Sequence, residues 1–221
     1  MSDEPANPPP ARWVQAWPDA LAFVAGLALA WFGDWQTKDL VWSLWLSSLL
    51  VGYAMIVWDI FGRPLLVGKA WADPIPVRVQ LPVGGLLLAG RLFMLAFFTV
   101  HFGGFHFVHA TFLNQFFPVL PGRPGFMNLH VFVQVLHDYW PFVLVAALAE
   151  RKAFRREPVG LQDPGMVAPY KNVVRLHLLI FFFAFTSFVH LQNFAVYAVV
   201  YAVYFFPWRL VFPAQPKLTP A

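Results

Sequence analysis

The residues in this chain best suited to do chemistry are its seven histidines. His101, His106 and His109 fall inside Val100–Asn114, the apolar run VHFGGFHFVHATFLN, which also carries Gly103-Gly104. His130, His137, His177 and His190 lie in or at the ends of other apolar segments. An ionisable group at membrane depth is a functional candidate by default. His106 and His109, three apart, share a helix face; so do His130 and His137, seven apart, with Gln134 between them. Facing pairs from two helices, joined by His190 from a third and backed by His101 and His137, would form a nitrogen-rich site of the kind helix bundles build. Neutral imidazole suits Zn, Fe or Cu, and a chain without cysteine offers no thiolate. Asp138, Gln134 and Asn114 are placed to orient such ligands by hydrogen bonds, and Asp138 to join them. The expectation is therefore a transition-metal site with redox or hydrolytic chemistry. No HExxH pattern, paired histidines or GxSxG motif names a reaction or a catalytic residue.

Two other readings use the same residues. A haem, or a chlorophyll-type pigment, would take axial imidazoles, with His101 and His137 the best-matched pair and Phe and Trp as walls. Alternatively the imidazoles are hydrogen-bonded packing groups or proton relays in a non-enzymatic transporter or in a scaffold subunit of a membrane complex. The scaffold reading predicts tolerance of single His→Ala changes, whereas a metal site predicts sharp loss at three or four of them.

The elements that must position these groups are set by composition. The 221 residues are 59% hydrophobic, 19% aromatic and only 12% charged. A soluble domain carries about a quarter charged residues, so the chain is expected to be an all-α integral membrane protein. The net charge of +4 belongs to basic residues flanking apolar spans and not to a nucleic-acid surface. Residues 1–17 are expected to form a disordered tail, 18–212 one transmembrane domain and 213–221 a second tail. Ala28-Leu29-Ala30 mimics a signal cleavage site. The acidic Asp3, Glu4 and Asp19 before it, against Arg12 alone, reverse the usual basic leader, so no cleavage is expected.

Six spans are expected: about Pro18–Gly33, Leu40–Phe61, a long run from Pro82 to Pro118, Met127–Leu148, Val173–Leu191 and Ala195–Trp208. The third exceeds one crossing, so it should either project from the membrane or break at Gly103-Gly104. In the second span Ser43, Ser47, Ser48 and Gly52 suit a close helix contact. With the N-terminus cytoplasmic, twelve Lys and Arg fall on the inner side (Arg12, Arg63, Lys69, Arg78, Arg151, Lys152, Arg155, Arg156, Lys171, Arg175, Arg209, Lys217) and two, Lys38 and Arg123, outside. That bias puts both termini in the cytoplasm and the protein in the inner (plasma) membrane. Measured from Pro82, His101 falls in the outer third and His106 and His109 at or just beyond the outer boundary. Arg91, within a span, must snorkel or pair, with Asp59 preferred to Asp138 as its partner. Lipid is the expected partner, with a homo-oligomer or a membrane complex as further expectations and nucleic acid excluded.

The phrase His101-Phe102-Gly103, with Phe105 and His109 after it, and the later Pro169-Tyr170 and Leu176-His177, resemble an uncharacterised family of multi-pass bacterial and archaeal membrane proteins. Its third span carries a His-Tyr-Gly-x-Phe type of motif and its fifth opens with Pro-Tyr and Leu-His. Here Phe102 replaces the Tyr. The acidic residue of that family's second span is absent from Leu46-Ser47-Ser48-Leu49. The resemblance implies the fold and assigns no activity.

Overall fold

The computed structural model describes residues 12–62, 77–120, 122, 125–154, scattered positions between 174 and 185, and 194–206. Its elements are all helical, with no strand among the described residues. They are α1 (Arg12–Phe32), α2 (Thr37–Val57) continued by a π-turn (Trp58–Gly62), α3 (Val77–Phe116), α4 (Leu129–Ala149) followed by a 3₁₀ turn (Arg151–Phe154), and α5 (Phe194–Phe205). Most of the fifth expected span, including His177 and His190, lies outside the described residues. Thr37–Gly62, Gly84–Phe116 and Leu129–Ala149 are long and apolar enough to cross a membrane. At about 1.5 Å per residue even the shortest of them exceeds a core of ~30 Å. Trp17–Phe32 is a shorter apolar helix.

Capping chemistry explains the boundaries. α1 opens at Arg12, before the expected Pro18, and carries that proline inside it. It ends in a Schellman arrangement: the Trp35 amide donates to Ala30 O (2.9 Å) and the Asp34 amide to Trp31 O (3.3 Å), with Asp34 left-handed at φ 50°. Asp is one of the few residues that tolerates that conformation. One residue later the Gln36 amide donates to Asp39 Oδ2 (2.8 Å), so Asp39 caps the start of α2. Asn128 caps α4 by accepting from the Val131 amide (3.1 Å).

α2 is the central element. It packs against α3, α4 and α5, while α1 packs against α4 and α5. Every residue from Leu40 to Ser47 is buried. Around them Trp42, Trp45, Leu113, Phe117, Val131, Val135, Tyr139 and Phe142 form one core. α2 and α3 run antiparallel: Trp42 bonds Phe117, Ser48 bonds His106, and Ile56 and Ile60 pack on Phe98 and Phe102. Gly52 makes a close approach, where an added Cβ would lie 2.7 Å from Phe102 Cζ. Ser48 and Gly52 thus serve the close contact expected of the small residues of α2, whereas the Ser43 and Ser47 hydroxyls donate to carbonyls of their own helix.

Three expectations change on this frame. α3 does not break: it runs unbroken through Gly103-Gly104, and nothing lies within 4 Å of a Cβ added at either glycine. Second, the imidazole of His106 meets Ser48, eleven residues into α2 and hence about 16 Å from its start. His106 therefore sits beside the middle of the α2 span and not beside either end of it. The excess length of α3 lies at its N-terminal end, where residues 84–90 are exposed. Third, the Arg91–Asp59 pair does not form. Ile56 and Ile60 occupy the face of α2 turned to α3, and among the described residues Arg91 has no salt bridge.

Candidate functional site

The described histidines separate into two environments. His106 and His109 are 1% and 5% exposed, with ring centroids 6.3 Å apart. His106 Nδ1 lies 3.0 Å from Phe102 O and Nε2 3.2 Å from Ser48 Oγ. A carbonyl only accepts, so Nδ1 carries the proton and Nε2 accepts from the Ser48 hydroxyl. The Trp45 indole donates to the His106 carbonyl (2.9 Å). Both ring nitrogens of His106 are thus engaged within the protein, and a metal at Nε2 would have to displace Ser48. His101 is exposed, stacked on Phe97 and edge-on to Phe105.

His130 and His137 are exposed on α4. Among the described residues no three His, Asp or Glu side chains come together as a metal-holding group, so His101, His106, His109, His130 and His137 do not converge on one point. His190, the remaining expected ligand, lies outside the described residues. The expected supporting residues have local roles. Gln134 Nε2 donates to both carboxylate oxygens of Asp138 at 2.9 Å, and Asn114 Nδ2 donates to Gly125 O (3.0 Å).

A polar site forms elsewhere, where the α1–α2 turn meets the middle of α4. A cavity of about 360 Å³ is lined by Gly33, Trp35, Lys38, Asp39, Val119, His137, Asp138 and Tyr139. Each carboxylate is held by donors. Asp39 Oδ1 accepts from the Tyr139 hydroxyl (2.7 Å) and Oδ2 from the Gln36 amide. Asp138 Oδ1 accepts from Gln134 and from His137 Nδ1 (3.0 Å). The Trp35 ring stands edge-on to Tyr139 at 5.6 Å and fixes that wall. Such a volume is in the range of small-ligand sites and far above that of a single water.

Sequence reading picks out His137 and Asp138 as members of a histidine site, whereas it does not pick out Asp39, Lys38 or Trp35 as site residues. The signal at Asp39 is only a capping pattern at a helix start, which points to local structure. At the opposite end of α1 and α4, Arg151 Nη1 donates to Asp19 Oδ1 (2.6 Å) and Lys152 Nζ to Asp19 Oδ2 (3.2 Å), and Trp58 packs on Phe154. Between α2 and α3, the Ser48–His106 and Tyr53–Thr99 pairs are further polar contacts among the described residues. No curated protein and no solved structure matches the chain. Residues 6–206 match a family of unknown function, DUF6498, and the chain belongs to that family.

Proposed function

We propose that the chain is a multi-pass protein of the plasma membrane, with both ends cytoplasmic, and that it receives a small solute in the cavity between the α1–α2 turn and α4. The observation that carries this reading is the cavity itself: two carboxylates, an imidazole, an ammonium and a phenol line it in a chain that is 59% hydrophobic. The orientation rests on the Lys and Arg bias. The Asp19–Arg151–Lys152 cluster suits the inner end and the cavity the outer. A solute-handling role, as a transporter or a receptor-like subunit, fits a site of this size at the mouth of a helix bundle.

The chain has no cysteine, so single cysteines report topology directly. Phe126→Cys should react with a membrane-impermeant maleimide in intact cells, and Ala153→Cys only after permeabilisation. The opposite pattern, or reaction of both in intact cells, removes the orientation and with it the outward cavity.

A transition-metal site is the second reading, favoured by His106 and His109 buried three residues apart on α3. Its further ligand would be His190. Stoichiometric Zn, Fe or Cu, or a haem absorption band, in protein purified without a His tag supports it if lost in His109→Ala. Metal-free protein that stays so after reconstitution rejects it.

A further inference from the structure

Resting on the cavity reading above, we propose that the solute is a small organic cation, a protonated or quaternary amine, held by Asp39 and Asp138 as counter-charges against the aromatic walls of Trp35 and Tyr139. Three observations favour this class. First, the cavity walls carry two carboxylates against the single ammonium of Lys38. Among the described residues that lysine makes no salt bridge, and it is exposed, so the excess negative charge is uncompensated. Second, the hydrogen bonds that fix the carboxylates come from a phenol, a backbone amide, a side-chain amide and an imidazole. Each orients its carboxylate, and none brings the permanent positive charge of a Lys or Arg. Third, about 360 Å³ exceeds what a bare ion needs, and Asp39, His137 and Asp138 do not gather as a metal-holding group. Aromatic faces attract alkylammonium groups by their negative quadrupole, and a concave surface with an excess of carboxylates concentrates cations. A free anion would meet the reverse field.

The test uses the cysteine-free full chain in lipid nanodiscs, with one cysteine at Val119, a half-buried residue of the cavity wall. A second cysteine at Phe126, which is 77% exposed, serves as reference. Rates of modification by a cationic and an anionic methanethiosulfonate reagent are compared at each site. The ratio of cationic to anionic rate at 119 should exceed that at 126 by about tenfold or more. It should fall towards the reference in Asp138→Asn, which leaves the Asp39 cap of α2 intact, and further when Asp39→Asn is added. It should rise in Lys38→Gln. Tetramethylammonium should slow modification at 119 and leave 126 unchanged.

A ratio equal to the reference, or one favouring the anion, overturns the cation assignment while leaving the cavity standing. A normal ratio shift without protection by tetramethylammonium or ethylammonium also overturns it, because the field is then present without a seat. Position 119 unreactive to both reagents while 126 reacts means a closed cavity, and the solute reading itself falls.

Discussion

Replacing Gly52 by Ala should have opposite effects in two backgrounds, because the residue it meets on α3 is a single ring. The new Cβ would lie 2.7, 3.4 and 3.5 Å from Cζ, Cε1 and Cε2 of Phe102, a side chain with no exposed surface. A buried ring cannot swing aside as a flexible chain end does, so α2 and α3 must part or Phe102 must leave its rotamer. Overpacking of this kind costs about 1–3 kcal/mol. Ala gains about 1 kcal/mol over Gly in helix propensity, so the net loss is about 1 kcal/mol. Leu at 102 lacks all three offending atoms. Phe102→Leu alone should cost about 1 kcal/mol, chiefly in lost packing, since transfer from water contributes little where lipid is the alternative. In that background Gly52→Ala keeps its propensity gain without the clash and should stabilise. Unfolding of the four proteins in mixed micelles, followed by circular dichroism against mole fraction of denaturing detergent, completes the cycle. The expected coupling is about 1–2 kcal/mol. Additive effects, or a stabilising Gly52→Ala in the parent chain, would refute the close contact of α2 with α3 and the seat it gives His106.

Other outcomes are open to direct measurement. Ser48→Ala leaves Nε2 of His106 without its donor and should cost about 1–2 kcal/mol; Ser48→Thr, which keeps the hydroxyl, should recover most of it in the same assay. Asp19→Asn removes the charge shared by Arg151 and Lys152, whose side chains are about a third exposed. Discounted for that exposure, the loss should be about 1 kcal/mol and smaller in high salt; a salt-independent loss would show that the cluster acts through packing. Tyr139→Phe takes the hydroxyl from Asp39 Oδ1 and should change the modification rate of a cysteine at 119 far more than it changes stability. Asp34→Gly should stabilise by a few tenths of a kcal/mol and Asp34→Val destabilise, because position 34 is left-handed.

Much of the fold could be read from the chain because a long apolar run sets the length of its helix, and three such helices are long and apolar enough to cross a membrane. The second, third and fourth spans were expected within a few residues of α2, α3 and α4, apart from the earlier start of α3. Depth was less legible. Pro82 looked like a helix start, yet α3 begins at Val77, and what fixes the position of His106 is its bond to Ser48 on another helix. No spacing along α3 carries that pairing. The candidate cavity was hidden for a related reason. Asp39 reads as a cap of α2, and only the packing of α4 across the α1–α2 turn turns it toward Tyr139 and Asp138. Histidine spacing gave the opposite impression. His130 and His137 share a stripe, but buried Val131, Val135, Tyr139 and Phe142 form the face that packs, leaving both imidazoles outside it.

The pair Gly103-Gly104 has a mechanical meaning in this setting. Neighbouring glycines are a common place for a helix to bend, yet α3 is unbroken across them. Flanking the pair, the Phe102 and His106 carbonyls each accept a further bond, from the His106 ring and from the Trp45 indole, while the Phe102 ring rests on Gly52. α2 thus works as a splint across a joint that α3 already contains. Before the joint α3 keeps a second seat, through Phe98 on Ile56 and Ile60 and Thr99 on Tyr53, so whatever loosens Trp45 or Ser48 from His106 would free the segment after the glycines and leave the one before them held.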